Sequence, residues 1–285
     1  MPAMDAQLGI NFDSNKLFYA VSRPAKTGVV EHIGCIDFSF DLIHSVSTRD
    51  PETFPGVCDT LHNLMKDHNT ARSFAVSPPS FELWSIIPKT VFDENQEREA
   101  HLNILMQGMD SGQADLQWHS LSNRDFKLLS ARRKDDILTF TSLLGNAGQD
   151  HLFSDFQIGQ QWLRHSQFRG SFLSVSSYKG RLSISSYLLG KLRAATFFSY
   201  DDIRDLPYHW LQHASHLSWI QGLHEYVMVF GEHSGEIVET LSTYWDDSSD
   251  ILVMDSLKKM QVTSEEETFS FPLERAFPAV LLSVS

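Results

Sequence analysis

Three consecutive segments between residues 171 and 200 carry alternating apolar and polar positions, which is the clearest pattern in the chain. The segments are 171–178, 181–190 and 191–200, and turns that contain Gly180 and Gly190 separate them. Alternation with a period of two, interrupted by tight glycine-containing turns, is typical of antiparallel strands joined as a meander. The pattern therefore predicts a three-stranded unit in the second half of the chain.

A helical pattern follows this meander and runs from about Asp202 to Gly222. Its apolar positions recur at spacings of three and four residues, so we expect one face of the helix to bury Trp210 and Leu217. Asp201 and Asp202 stand at its start, where we favour a helix cap over a pair of metal ligands.

The same order of elements occurs near the N-terminus. Strands are predicted at 8–12, 16–22 and 28–38, and a polar loop leads from them to a helix at about 54–68. A buried strand at 71–77 completes the unit. A repeated order of elements indicates an internal duplication.

The second copy continues in the same manner. An uninterrupted apolar run at 226–230 suits a parallel central strand, which is covered on both faces. A helix at 235–245 and a strand at 251–254 follow, and 273–284 predicts a terminal helix interrupted or kinked at Pro278. Strands followed by alternating helices and strands in each half predict an α/β fold with two mixed sheets.

Additional sequence lies between the copies. Residues 80–121 predict a small α+β insertion with a strand, a helix that Asp93 caps and that ends at about Met109, and a second strand. We therefore expect a first lobe at 1–152, which contains the insertion, and a second lobe at 153–285.

Composition narrows the possible partners. The 36 acidic and 23 basic residues give a formal charge of -13, which argues against a nucleic-acid partner and against anionic membranes. No apolar segment is long enough to span a bilayer, and the first seven residues lack a secretory-signal pattern. Cys35 and Cys58 provide neither a disulfide framework nor metal-ligand spacing. We expect a cytoplasmic protein without direct membrane insertion.

Residues 128–136, Leu-Leu-Ser-Ala-Arg-Arg-Lys-Asp-Asp, resemble the strand-to-helix junction of PilM-like type IV pilus assembly proteins. In that family a strand ending in Ala-Arg-Lys leads into a helix closed by Ala-Gly, as at Ala147-Gly148 here. The segment 75–109 also resembles PilM-like proteins, with a strand, a proline-containing turn, a second strand and an acidic amphipathic helix. These proteins belong to the actin-like (ASKHA) superfamily, so the resemblance implies two RNase-H-like lobes, each with a mixed five-stranded sheet.

The resemblance directs attention to three loops that hold nucleotide in active members of the superfamily. Two of them usually read Asp-x-Gly-Ser/Thr and serve phosphate and hydrated metal, and a Gly-Gly turn lets the backbone approach the adenosine. This chain departs from the pattern in all three, at 11–14, 174–179 and 230–235. The third loop also carries Glu232, whose charge would repel an anionic ligand.

Two interpretations of these loops remain. In the first, Asp13 serves a metal, Ser14 and Ser176 serve phosphate, and Gly231 serves the base. In the second, which we favour, these residues and Gly235 are the vestige of a nucleotide cleft, and the first loop is an ordinary hairpin turn. A phosphate site needs backbone donors and compatible charge, and these loops lack both. We expect no cofactor, with ATP and magnesium as the alternative.

Three histidines form a separate candidate site. His209, His213 and His216 fall on one helix face, as metal ligands would. They also border the apolar stripe of the helix, and no cysteine or acidic residue follows at ligand spacing, so we favour a place at the edge of the core.

The resemblance implies a function, which the residues alone do not. We expect a non-catalytic actin-like scaffold or adaptor that binds a protein or peptide through the first lobe near the insertion. The cytoplasmic tail of a membrane pilus or secretion component is the partner that the family suggests. The alternatives are an ATP-binding or ATP-hydrolysing protein with divergent phosphate loops and, third, a metal-binding module on the histidine helix.

Overall fold

The computed structural model describes residues 6–23, 28–106, 111–145, 151–264 and 268–285. Three sheets account for the fourteen strands found among these residues. Two of the sheets are large and mixed, and helices lie between them and on their outer faces. The predicted α/β fold with two mixed sheets is confirmed.

The first sheet has six strands in the order β14-β3-β2-β1-β4-β8. β1, β2 and β3 form an antiparallel meander, whereas β4, β8 and β14 pair in parallel with their neighbours. The sequence predicts five strands, and the sixth is a two-residue strand that comes from the far end of the chain. The strands are β1 (Ala6–Asp13), β2 (Lys16–Ser22), β3 (Val29–Asp37), β4 (Thr70–Val76), β8 (Leu152–Phe153) and β14 (Thr263–Ser264).

The second sheet has five strands in the order β11-β10-β9-β12-β13. Its first three strands are the predicted meander, and β12 lies between β9 and β13 as a parallel central strand, as expected from its apolar run. The strands are β9 (Ser171–Tyr178), β10 (Arg181–Leu188), β11 (Lys191–Ser199), β12 (Tyr226–Gly231) and β13 (Asp250–Val253).

A third, small sheet has the order β5-β7-β6, and both of its pairings are antiparallel. The predicted insertion at 80–121 covers β5 and β6, and β7, which pairs with both, follows it. We call the segment 82–133 the inserted subdomain. Its elements are β5 (Glu82–Pro88), α3 (Lys89–Asp93), α4 (Asn95–Leu105), β6 (Ala114–Ser120) and β7 (Phe126–Arg133).

Helices cover the outer faces of the two large sheets. Those on the first sheet bury Leu42, Leu61 and Phe140, and those on the second bury Leu206 and Trp210. The first group is α1 (Leu42–Thr48), α2 (Phe54–Asp67) and α5 (Lys134–Leu143), and the second is α7 (Leu206–His216) and α8 (Ser234–Leu241).

Two helices, α6 (Asp155–Ser166) and α10 (Leu273–Val284), fill the space between the large sheets. A short helix, α9 (Leu257–Met260), comes before α10 in the chain. α10 crosses from the second half of the chain to pack on β1, β2 and β12. Gly9 on β1 permits this, because a Cβ there would lie 2.0 Å from the carbonyl oxygen of Ala279. The predicted terminal helix is present, and Pro278 lies inside it without interrupting it.

The helices differ from the prediction in several places. α1 and α6 are not predicted from the sequence. Asp93, which the sequence predicts to cap a helix, is instead the last residue of α3, and α4 begins at Asn95 after Glu94, which adopts an extended conformation. The predicted end of that helix at about Met109 and the Ala147-Gly148 pair of the family-like stretch lie outside the described residues.

The helix predicted to end near Gly222 stops at His216, at the end of α7. Trp219 and Ile220 beyond it are buried in the same core as Trp210. On a continuous helix Trp219 would lie about 180° from Trp210 and face solvent. The chain must therefore leave the helical path after His216 to bury Trp219. Leu217, which the sequence predicts to be buried, is half-buried at the end of the helix.

Burial of Trp210 generates a stability prediction. This side chain is 1% exposed and packs edge-on against Trp245, with ring centroids 6.1 Å apart. Trp210→Ala should lower the free energy of unfolding by about 3–5 kcal/mol, since it removes apolar contact and leaves a cavity. Chemical denaturation measures the loss. Tyr208→Ala is the control, because Tyr208 on the same helix is 68% exposed and should cost little. A loss below about 1 kcal/mol for Trp210→Ala would contradict this packing.

Candidate functional site

A small cavity lies where the first turn of the chain meets the ends of β9 and β12. It is lined by residues of both large sheets, including Asp13, Ser176 and Gly231 from the three loops selected in the sequence. The structure therefore brings these three residues together. Ser14 and Gly235 are not among the lining residues.

The cavity has a volume of about 30 Å³. Sites for cofactors and drug-sized ligands occupy about 300–1,000 Å³, whereas one water molecule takes about 30 Å³ in the liquid. In this arrangement the cavity has room for water and not for a nucleotide.

An arginine from α10 bridges two of the loops. Arg275 Nε donates to Asp13 Oδ2 at 2.5 Å, and Arg275 Nη2 donates to Glu232 Oε1 at 3.2 Å. Asn11 Nδ2 donates to the main-chain carbonyl of Arg275 at 2.9 Å. The first loop, the third loop and the start of α10 are therefore joined by one guanidinium.

The bridge continues to a second cation. The other carboxylate oxygen of Glu232 accepts the backbone N–H of Lys179 at 2.9 Å. Lys179 Nζ forms an ion pair with Asp41 Oδ2 at 2.6 Å, and Asp41 in turn caps α1 by accepting from His44 N–H. We name the set Asp13, Arg275, Glu232, Lys179 and Asp41 the cleft bridge. It ties the first sheet to the second through two ion pairs of Arg275, one backbone hydrogen bond of Lys179 and the Lys179–Asp41 ion pair.

The charge state of Asp13 depends on this bridge. Burial raises the pKa of the Asp13 carboxyl above its usual value, the Arg275 guanidinium opposes the shift, and the Glu232 carboxylate adds to it. The oxygen of Asp13 that faces away from Arg275 has no hydrogen-bond partner within the described chain. Arg275 is thus the group that allows a carboxylate to be buried here.

Ser176 is also engaged within the protein. Its hydroxyl donates to Asp155 Oδ2 at the start of α6, and both side chains are buried. Burial raises the pKa of Asp155, and hydrogen bonds from Ser176 and Ser183 oppose the rise. The hydroxyl that could serve phosphate therefore stabilises a buried carboxyl instead.

The two glycines selected in the sequence, Gly231 and Gly235, differ in whether their surroundings leave room for a side chain. Gly231 has φ of +96°, and a Cβ there would lie 2.3 Å from the carbonyl oxygen of Ser177 on the neighbouring strand. Close approach of β12 to β9 explains this glycine without a ligand. A Cβ on Gly235 would enter open space. Ser14 supplies its carbonyl to Leu42 N–H at 2.8 Å, which fixes α1 to the first turn.

A buried polar junction lies beside the cavity. Glu82 Oε1 accepts from Arg132 Nε at 3.1 Å and from Ser154 Oγ at 2.6 Å, and both charged side chains are at most 2% exposed. It joins the inserted subdomain to the start of α6. Neither Glu82 nor Arg132 is assigned a role from the sequence. The available signal is the position of Arg132 directly after the buried residues Leu128–Ala131 on β7, within the family-like stretch. The adjacent Arg133 pairs with Asp136 at the start of α5.

The histidine helix shows no metal arrangement. Phe198 stacks on His209 and His213, with ring centroids 5.7 and 4.8 Å apart. In the portion of the chain that is described, no three His, Cys, Asp or Glu residues are grouped as metal ligands. Likewise, none of its helices is long and apolar enough to cross a membrane.

Comparison with known proteins defines the class of fold. No protein-family model matches the sequence, and no curated protein matches it. A Bacteroides thetaiotaomicron protein with an actin-like ATPase fold and unknown function has a TM-score of 0.52 at 13% identity, over 88% of this chain and 91% of that one. A chain of the PilM-PilN type IV pilus biogenesis complex has a TM-score of 0.63 at 11% identity, over 100% of both chains.

These identities are too low to establish more than architecture. The chain has the actin-like fold, and its similarity to the chain of the pilus complex extends over the full length of both. The predicted resemblance to the actin-like superfamily and to PilM-like proteins is confirmed at the level of fold.

Removing the central cation of the cleft bridge should destabilise the protein. Arg275→Met preserves most of the side-chain packing but leaves Asp13 and Glu232 without their shared partner. We expect the free energy of unfolding at pH 7 to fall by about 3 kcal/mol, as when one partner of a buried pair is removed. Arg204→Met is the control, because the Arg204–Asp202 pair is exposed and its loss should leave stability almost unchanged.

The loss should also depend on pH. Without Arg275 the pKa of folded Asp13 rises further, so the folded state binds a proton more readily than the unfolded chain, whose Asp pKa is 3.8. This proton binding favours folding at low pH, and its contribution is lost as pH rises through the folded-state pKa. The stability difference between wild type and Arg275→Met should therefore shrink as pH falls from 7 towards 4. A difference independent of pH would contradict the pairing of Asp13 with Arg275.

Proposed function

We propose that this protein is a non-catalytic actin-like scaffold or adaptor that works in the cytoplasm by binding another protein. The observation that carries the proposal is the closed cleft. Asp13, which lines the cavity of about 30 Å³, pairs with Arg275, and Arg275 also pairs with Glu232 of the third loop. Similarity of fold to a chain of the PilM-PilN complex supports a role in protein binding but does not determine it.

The inserted subdomain offers the surface for such a partner. Leu83 on β5, Ile104 on α4 and Phe126 on β7 are large apolar side chains that are 36%, 77% and 38% exposed. β6 is the last strand of its sheet, so its outer edge is available for pairing within the described structure. Exposed apolar groups and an open strand edge are each typical of surfaces that take up an extended peptide, and the inserted subdomain has both, although Leu83 lies on β5, the outer strand opposite β6.

The partner that best fits the proposal is a short peptide segment of a membrane-anchored protein, such as the cytoplasmic tail of a pilus or secretion component. Such a segment would add to an edge of the small sheet through main-chain hydrogen bonds. Apolar side chains of the segment would contact apolar groups of the inserted subdomain that lie near the edge to which it adds, such as Leu83 if that edge is β5. The adaptor would thereby connect a membrane protein to other components without inserting into the bilayer itself.

Site-specific photocrosslinking in the native cell tests this proposal. A photoreactive phenylalanine analogue at Ile104 or Phe126 should yield a discrete crosslinked product of one partner. The same analogue at Tyr208 should not, although Tyr208 is 68% exposed, because it lies on α7, which packs on the second sheet and is not part of the inserted subdomain. Equal products at Tyr208 and Phe126 would indicate nonspecific contact. Absence of any product, together with an enzymatic activity of the purified protein, would favour the ATP-hydrolysing alternative.

A further inference from the structure

A pocket separate from the cleft lies between the inserted subdomain and the second sheet. Its volume is about 680 Å³, within the usual range for small-molecule sites. One wall is the inserted subdomain, with Trp118 on β6, and the other is formed by Phe156 on α6 and Leu192 on β11. A backbone hydrogen bond from Ser122 N–H to the Leu192 carbonyl, 2.7 Å long, joins the two walls.

The pocket is positively charged in a protein of net charge -13. Four of the residues that line it are cationic, namely Lys89, Arg124, Lys127 and Lys191, and no Asp or Glu is among the described residues that line it. None of the four forms an ion pair with a carboxylate in the described chain. Lys127 Nζ instead contacts Ser120 Oγ at 3.3 Å. A concave surface lined by one sign of charge concentrates the opposite charge.

The cations explain which ligands the pocket favours. A phosphate group carries nearly two negative charges and three terminal oxygens, so it can engage several Lys and Arg donors at once, whereas a carboxylate offers two oxygens and one charge. Trp118 and Phe126 add aromatic surface on the inserted subdomain side, which suits an apolar part of a ligand. The limited volume suits a small molecule rather than a long chain.

We propose that this pocket binds a phosphorylated small molecule with at least two negative charges. The residues that hold it come from both the inserted subdomain and the second sheet, so the bound ligand would link the two. Asp13, Arg275 and Glu232 of the cleft bridge do not line the pocket. The pocket shares Phe126 with the surface proposed for the peptide partner. Ligand binding and partner crosslinking are measured separately, so either proposal can fail alone.

Inorganic pyrophosphate is a suitable probe, because it supplies the charge without a nucleotide base. Titration calorimetry on the full chain, without magnesium and with a chloride control of equal ionic strength, should detect binding. The double variant Lys127→Ala/Lys191→Ala should weaken binding by at least about tenfold, since it removes two charge-assisted contacts. The control Lys66→Ala/Lys258→Ala removes the same charge from exposed positions on α2 and α9 and should bind like wild type.

A second variant separates loss of charge from loss of structure. Lys127→Arg/Lys191→Arg keeps both charges and should retain binding within a few-fold of wild type. Three results would overturn the proposal: no binding of pyrophosphate by wild type at millimolar concentration, equal weakening in the pocket and control variants, or binding of a hexaglutamate peptide in place of pyrophosphate. The last result would make the pocket a site for an acidic peptide.

Discussion

The contact between α10 and the first sheet is the constraint on which the rest of the structure depends. The helix belongs to the last residues of the chain, yet it lies on strands that belong to the first. Gly9 lets it approach closely, and Gln7 Nε2 donates to the carbonyls of Leu282 and Ser285 at 2.8 and 2.9 Å. These donors satisfy carbonyl groups that a helix end leaves unpaired. On its other side Phe277 packs edge-on against Phe230 of the second sheet, with ring centroids 5.0 Å apart.

Because α10 is held in this way, its first turn brings Arg275 into contact with Asp13 and Glu232. An arginine at this position has two chemical effects. It neutralises the buried carboxylate of Asp13, and it places a cation beside Glu232. The chain thus combines the actin-like fold with loops whose charged side chains are paired with one another. A shared fold with different pairings at the site is the usual way in which one architecture supports different functions.

The sequence predicted the elements whose signals are local. The meander of β9, β10 and β11 was evident from alternation and glycine turns, and the parallel strand β12 from its apolar run. Trp210 was correctly assigned to the core from helical spacing, whereas the helix end near His216 was missed because burial of Trp219 requires the chain to turn. Sheet strands as short as β14 give no periodic signal at all.

Interactions between residues distant in sequence could not be predicted from one chain. The Arg275–Asp13 pair joins residues 262 positions apart, and the Glu82–Arg132 pair joins residues 50 positions apart. Departures from the family pattern in the three loops predict an altered nucleotide site, and this stays a prediction. They did not indicate that an arginine of α10 bridges it, because no local pattern links residue 275 to the first turn.

Site-resolved hydrogen exchange tests the closed cleft most directly. The backbone amides of residues 13–15 and 231–234 lie in two of the loops that would contact nucleotide. Their exchange rates should be the same with and without millimolar Mg-ATP, since the cleft bridge leaves no room for the ligand. Protection of both loops by Mg-ATP, absent with magnesium alone, would show that the bridge opens and that the cleft still binds nucleotide, and it would contradict a cleft closed by Arg275.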